Sequence, residues 1–195
     1  MRYLAKIIQV FLPLLIIEAS MANAYEGIEK KIVKIIKKGE IYRSAHVDSD
    51  DKLQSLDYKI FGLHPNKCKY ALKKLSKYER FHEYLDIVKL SGYDKKKKLI
   101  YLYLDSTILP FPMVLNFKIE RIEGPGLYKF SFDKGFLKGL KGNIIVKEDG
   151  DKCLFHANSY WKGQKSSIPD TIFEIFSETV GELAMKNLFR VSKQI

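Results

Sequence analysis

The stretch IPDTIFEIFSETVGELAMKNLFRV, Ile168 to Val191, decides how this chain is read. Ile172, Phe176, Val180, Leu183, Asn187 and Val191 recur at spacings of three and four, with Glu174, Glu178, Glu182, Lys186 and Arg190 between them. That is the pattern of a long amphipathic helix with one buried face. Ser167 and Asp170 have capping-box spacing, and Pro169 falls in the first turn, where its missing donor is harmless. Gly181 lies on or beside the apolar face, at a cost of roughly 1 kcal/mol in helix propensity. It marks either close packing against a strand, the commoner case, or a hollow left for a ligand.

Upstream, from Lys98 to Trp161, the chain breaks into short strand-like segments: Leu99–Asp105, Met113–Glu123, Leu127–Phe132, Asn143–Glu148 and Cys153–Trp161. Their hairpin-like spacing predicts an antiparallel sheet. A strand meander followed by one long helix predicts an α+β fold, a curved sheet wrapped around its C-terminal helix.

Residues 1–24 are set apart from the fold. Arg2 and Lys6 precede the apolar run Ile7–Ile17, and Ala22-Asn23-Ala24 is a small-x-small cleavage site, so a signal peptide cleaved near Ala24 and a periplasmic or secreted chain are expected. The run is shorter than the roughly 20 residues of a comfortable membrane span. The chain of 195 residues has a net charge of +11; the leader removes two basic residues and one acidic residue, leaving +10. Lysine pairs and runs, such as Lys30-Lys31, Lys37-Lys38 and Lys95 to Lys98, could attract an anionic membrane surface, although scattered lysines more often form a solvated exterior. Nucleic acid is not an expected partner: export removes the chain from it, and Arg43, Arg80, Arg121 and Arg190 do not cluster.

Three regions follow: the leader, an N-terminal segment at 25–39, and one domain at 40–195. Glu26 to Lys38 reads as a basic amphipathic helix with Ile28, Ile32, Ile35 and Ile36 on one stripe and Gly39 as its stop. A strand over Glu40–Val47, an acidic turn at Asp48 to Asp51 and a strand over Leu56–Leu63 come next. Two short helices, Lys67–Leu75 and one opening at Ser76, carry Ala71, Leu72, Leu75, Tyr78 and Phe81. Cys68 on the first of them and Cys153 at a strand start are either two buried small hydrophobes or, in an oxidising compartment, a disulfide.

This order of elements resembles the helix-grip fold of the SRPBCC superfamily, which includes START lipid-transfer domains, the birch-pollen allergen family and polyketide cyclase or dehydrase-like proteins. The resemblance spans roughly Glu40 to Lys193 and is carried also by Leu75-Ser76-Lys77-Tyr78-Glu79-Arg80-Phe81 in the paired helices and by Gly163 to Pro169 before the last helix. It is nearest to exported bacterial members with an extra N-terminal segment. It implies a hydrophobic cavity between sheet and C-terminal helix, and no particular reaction.

Alternation along the strands predicts which side chains face that cavity. Lys118 and Glu120 mark the outside of one strand, leaving Leu115, Phe117 and Ile119 inside; Lys129 and Ser131 do so for the next, leaving Tyr128, Phe130 and Phe132. Phe155, Ser159 and Trp161 complete the wall, and Ile172, Phe176, Val180 and Leu183 face it from the helix. His156, the best base by residue type, falls on the solvent side unless a bulge reverses the strand. His46, His64 and His82 read as surface residues without ligand spacing, and no catalytic residue, metal or cofactor is assigned. The apolar segment Ser106 to Pro112 reads as a lid carrying Ile108, Leu109 and Phe111, with Gly135 to Gly142 as a second rim.

Three readings follow: an exported binder or carrier of a lipid or similar apolar molecule; a cyclase or dehydratase-like enzyme using Tyr128, Ser159 or His156; and a protein-interaction domain with a filled cavity. Below a cavity volume of roughly 300 Å³ the first two lose their basis.

Overall fold

A computed structural model describes residues 24–109 and 111–193. The expected leader therefore lies outside the described residues, Ala24 excepted. Eight strands form one antiparallel sheet: β1 (Tyr42–Ser49), β2 (Leu53–His64), β3 (Val88–Asp94), β4 (Leu99–Leu104), β5 (Met113–Lys118), β6 (Gly126–Lys134), β7 (Lys141–Asp149) and β8 (Lys152–Gln164). Their order is β1-β2-β8-β7-β6-β5-β4-β3. Helix α1 (Lys30–Lys37) precedes them; α2 (Cys68–Leu75), a 3₁₀ turn at Tyr78–Arg80 and α3 (Phe81–Tyr84) interrupt them after β2; α4 (Asp170–Lys193) follows. This is the helix-grip arrangement.

Local chemistry explains the turns. The acidic stretch after β1 closes a hairpin, because Asp50 Oδ1 accepts the Lys52 and Leu53 amides at 2.8 and 2.7 Å. Gly39 ends α1 at φ +84°, where an L side chain would be strained. The α1 stripe is satisfied within the molecule: Ile32 and Ile36 are buried against Phe61, Leu63 and Leu154 on the outer side of the sheet.

The long helix differs from expectation in its phase. Phe173, Phe189 and Ser192 are its buried residues, whereas Ile172 and Leu183 are 54% and 38% exposed, so these two do not face the sheet. The cause is the glutamate stripe. β1 is an edge strand, and the Ala45 and Val47 amides donate to Glu178 and Glu174 at 2.9 and 2.8 Å, while Glu182 pairs with Arg43 at 2.7 Å. These carboxylates cap donors that an open sheet edge would leave unpaired. Pulling that stripe toward β1 turns Ile172, Ile175 and Leu183 outward.

The helix is pinned at its start by a buried amide. Gln54 is 1% exposed; its Nε2 donates to Asp170 Oδ1 at 2.7 Å and its Oε1 accepts from Ser166 Oγ at 2.8 Å. The Asp170 carboxylate thus serves β1 and β2, since Ser49 Oγ also donates to it at 2.8 Å. Cys68 and Cys153, both fully buried, are bonded to each other with Cα atoms 4.7 Å apart, tying α2 to the start of β8.

Candidate functional site

The inner face of the long β2–β8 pair sets the geometry of the interior. Register places Tyr58 opposite Ser159, Ile60 opposite Ala157, and Gly62 opposite Phe155. At one end α4 lies almost on the sheet: a methyl group on Gly62 would stand 2.5 Å from Met185 Sδ and 2.9 Å from both Ile41 and Phe189. At the other end Trp161, Phe136 and Phe173 pack ring on ring, with centroids 5.4 to 6.1 Å apart. Between these two contacts, under α2 and α3, a cavity of 250 Å³ remains.

Its wall is almost entirely hydrocarbon. Phe117, Ile119, Ile144 and Phe155 line it from the sheet, Leu72, Leu75 and Phe81 from the paired helices, and Ala184, Met185 and Leu188 from α4. Tyr78 and Tyr58 add hydroxyls. Tyr78 is satisfied, accepting from the Ile122 amide at 3.0 Å and donating to the Glu120 carbonyl at 3.2 Å. Tyr58 Oη is buried without a hydrogen-bond partner among the described residues. Burial and the nearby Glu178 carboxylate hold its pKa well above the usual phenol value, so it stays a neutral donor. It presses on the helix where Gly181 allows it, since a Cβ there would stand 1.8 Å from this oxygen. Gly181 is a close-packing glycine on the cavity wall.

The expected wall residues separate into groups. Phe117, Ile119 and Phe155 line the cavity. Leu115, Tyr128, Phe130, Phe176 and Val180 pack against the same core, and Phe132 and Trp161 belong to the aromatic cluster at its end. Tyr128 and Trp161 use their donors elsewhere, on the Gly124 carbonyl at 2.8 Å and the Lys138 carbonyl at 3.1 Å. Ser159 lines an open groove outside the cavity, and Ile172 and Leu183 are exposed. In the lid segment Leu109 is buried, Ile108 is exposed beside Leu183, and Phe111 rests edge-on against Phe136 at 5.7 Å.

Tyr58, Ile60, Leu72, Leu75 and Phe81 were readable as apolar faces of their own elements, but nothing local places those faces on the same cavity. The histidines also divide. His156 stacks on Phe61 on the outer face of the sheet at 4.0 Å, and burial lowers its pKa. His64 is fully buried rather than superficial, its Nε2 2.9 Å from Ser192 Oγ and its Nδ1 accepting the Asn66 amide at 3.0 Å. His46 is exposed but does have a carboxylate neighbour, Glu174 at 3.4 Å.

No protein-family model matches the sequence, and no curated protein matches it. Solved structures do match. A START superfamily protein from Mycobacterium smegmatis superposes with a TM-score of 0.58 at 11% identity, over 71% of this chain and 97% of that one. A Streptomyces aromatase/cyclase gives 0.58 at 4% identity, over 73% and 94%. A STAR-related lipid transfer protein from Xanthomonas axonopodis gives 0.51 at 15% identity, over 77% and 99%. At these identities the likeness establishes the fold alone, the helix-grip fold that these structures share.

Proposed function

We propose that this chain is an exported carrier or sensor that holds an apolar small molecule, a lipid or a compound of similar character, between the sheet and α4. The observation that carries the reading is the hydrocarbon-lined cavity left between the sheet, the paired helices and α4. Such a wall gains affinity from apolar burial. Tyr58 is held protonated and is unsuited to abstracting a proton. The structures superposed above include a lipid transfer protein and an aromatase/cyclase, which supports a ligand-holding role over a purely structural one. The Cys68–Cys153 bond supports an oxidising compartment, in keeping with the leader-like N-terminus.

The volume narrows the ligand. At 250 Å³ the cavity falls below the roughly 300 Å³ at which drug-sized sites begin, so the carrier reading holds only for a smaller ligand or for a cavity that widens on binding. It suits a compact molecule or one segment of an acyl chain, or a larger ligand admitted as the flexible Met185 side chain turns. The same volume favours a second reading, an interaction domain whose cavity its own side chains nearly fill. Native mass spectrometry of the purified chain separates the two. A stoichiometric apolar molecule, displaced by a fluorescent fatty alcohol, is the expected result. No bound molecule, together with unchanged melting on adding fatty alcohols or lysolipids, would leave the interaction reading.

A further inference from the structure

A further concavity lies at the end of the molecule where the C-termini of α1 and α4 meet the end of β2 and the start of β8; it measures 340 Å³. Six cations line it: Lys37, Lys38, Lys152, Lys186, Arg190 and Lys193, and no carboxylate does among the described residues. Lys186 is paired with Glu182 at 2.6 Å, and Lys37 sits over the Tyr25 ring at 4.7 Å. Lys38, Lys152, Arg190 and Lys193 make no ion pair among the described residues. Ile41, Leu63 and Phe189 give the concavity an apolar floor.

Cations near a helix C-terminus are favoured by the helix dipole, which accounts for Lys37, Arg190 and Lys193 taken singly. It does not account for Lys152, which comes from a strand, or for two helix ends converging on one floor. Like charges held together this way repel unless an anion joins them. Lys30 and Lys34 are also exposed on α1, where Lys31 is paired with Glu29 at 3.1 Å.

We infer that this end of the molecule docks on an anionic phospholipid bilayer, with one headgroup phosphate seated among Lys38, Lys152, Arg190 and Lys193. An amphipathic anion fits a cationic rim over an apolar floor, and the rest of the surface charge meets the bilayer. The attraction is electrostatic rather than insertional, because the apolar stripe of α1 is already spent on Phe61, Leu63 and Leu154. A nucleic acid suits the site less well: one of the six cations is arginine, and the site offers no exposed aromatic platform for bases. The inference stands apart from the ligand cavity.

Flotation with vesicles of phosphatidylcholine alone, and of phosphatidylcholine mixed with phosphatidylglycerol, tests it. Binding is expected only to the mixed vesicles, and is expected to weaken as salt is raised. The triple variant Lys38→Glu, Lys152→Glu, Lys193→Glu should bind more than about a hundredfold more weakly, since each cation lost costs about fivefold and each new carboxylate adds repulsion. An equal charge change elsewhere, Lys95→Glu, Lys96→Glu, Lys129→Glu, should keep most of the binding. Should the first triple variant melt early, the Lys→Gln version replaces it, with a smaller expected loss. Equal loss in both sets, binding to phosphatidylcholine alone, or saturable binding of inorganic phosphate or an oligonucleotide without vesicle binding would overturn the inference. Uptake of the fatty alcohol should be unchanged in the triple variant, so failure of the cavity reading would show separately.

Discussion

Gly181 and Tyr58 form a pair whose fit can be measured. A methyl group added at Gly181 would stand 1.8 Å from Tyr58 Oη and 2.8 Å from Cζ, so Gly181→Ala should lower stability by about 1–3 kcal/mol, despite the roughly 1 kcal/mol that alanine adds to helix propensity. Tyr58→Phe alone should be neutral or slightly stabilising, because it removes a buried hydroxyl without a partner. In the double variant part of the alanine cost should disappear, since the ring carbon Cζ still stands 2.8 Å from the methyl group; strictly additive changes in urea denaturation would show that the hydroxyl does not press on Gly181. The same Tyr58→Phe variant should bind a fatty alcohol as well as the parent chain does, as read by competition with a fluorescent probe, because the hydroxyl is packed against α4 and not offered to the cavity.

His64 makes a pH prediction. Burial, first among its causes, pushes its pKa below the ordinary value of about 6.5, so the folded chain binds fewer protons than the unfolded chain in this range. Its contribution is complete above pH 6.5 and is lost as pH falls from there through the lowered folded value. His156, also depressed by burial, acts with the same sign. Melting temperature should therefore fall below pH 6.5, and His64→Gln should flatten that fall while lowering stability at neutral pH; an unchanged pH slope would count against the account.

At the scale of the element, α4 shows how a correct period can carry the wrong phase. Three- and four-residue spacing identifies stripes, but it does not say which stripe packs when the polar one also has partners. Glu174 and Glu178 are held by β1 amides, and Phe173 and Phe189 take the buried positions expected of Ile172 and Leu183. Hydrogen bonds to charged acceptors contribute about 1.5–3 kcal/mol, so Glu174→Ala and Glu178→Ala should each cost on that order, less what solvent replaces at this half-exposed edge. Amide exchange at Ala45 and Val47 should quicken in both variants. Protection unchanged at these amides would mean that the helix does not guard the edge.

For the whole molecule, the Cys68–Cys153 bond closes a loop across 85 residues and joins the paired helices to the sheet. Its removal by Cys68→Ala with Cys153→Ala should lower stability by about 2–4 kcal/mol, visible as a lower melting temperature that reducing agent no longer shifts. The sequence already held both candidates in apolar settings, yet their distance depended on how α2 lies across β8.

What the residues determine by themselves is the order and type of the elements, because alternation, three- and four-residue spacing and turn chemistry are local. Hence the strand meander, the paired short helices and the long last helix were legible, with strand ends off by a few residues where hydrogen bonding outruns the pattern, whereas of the expected wall only Phe117, Ile119 and Phe155 line the cavity. The tertiary structure alone decided the rotation of α4, the burial of His64, the place of Tyr58 beneath Gly181, and the small volume left between the Gly62 contact and the Trp161–Phe173 cluster. Each depends on distances between segments far apart in the chain. Such distances are set by the balance of packing and edge hydrogen bonds over the whole fold.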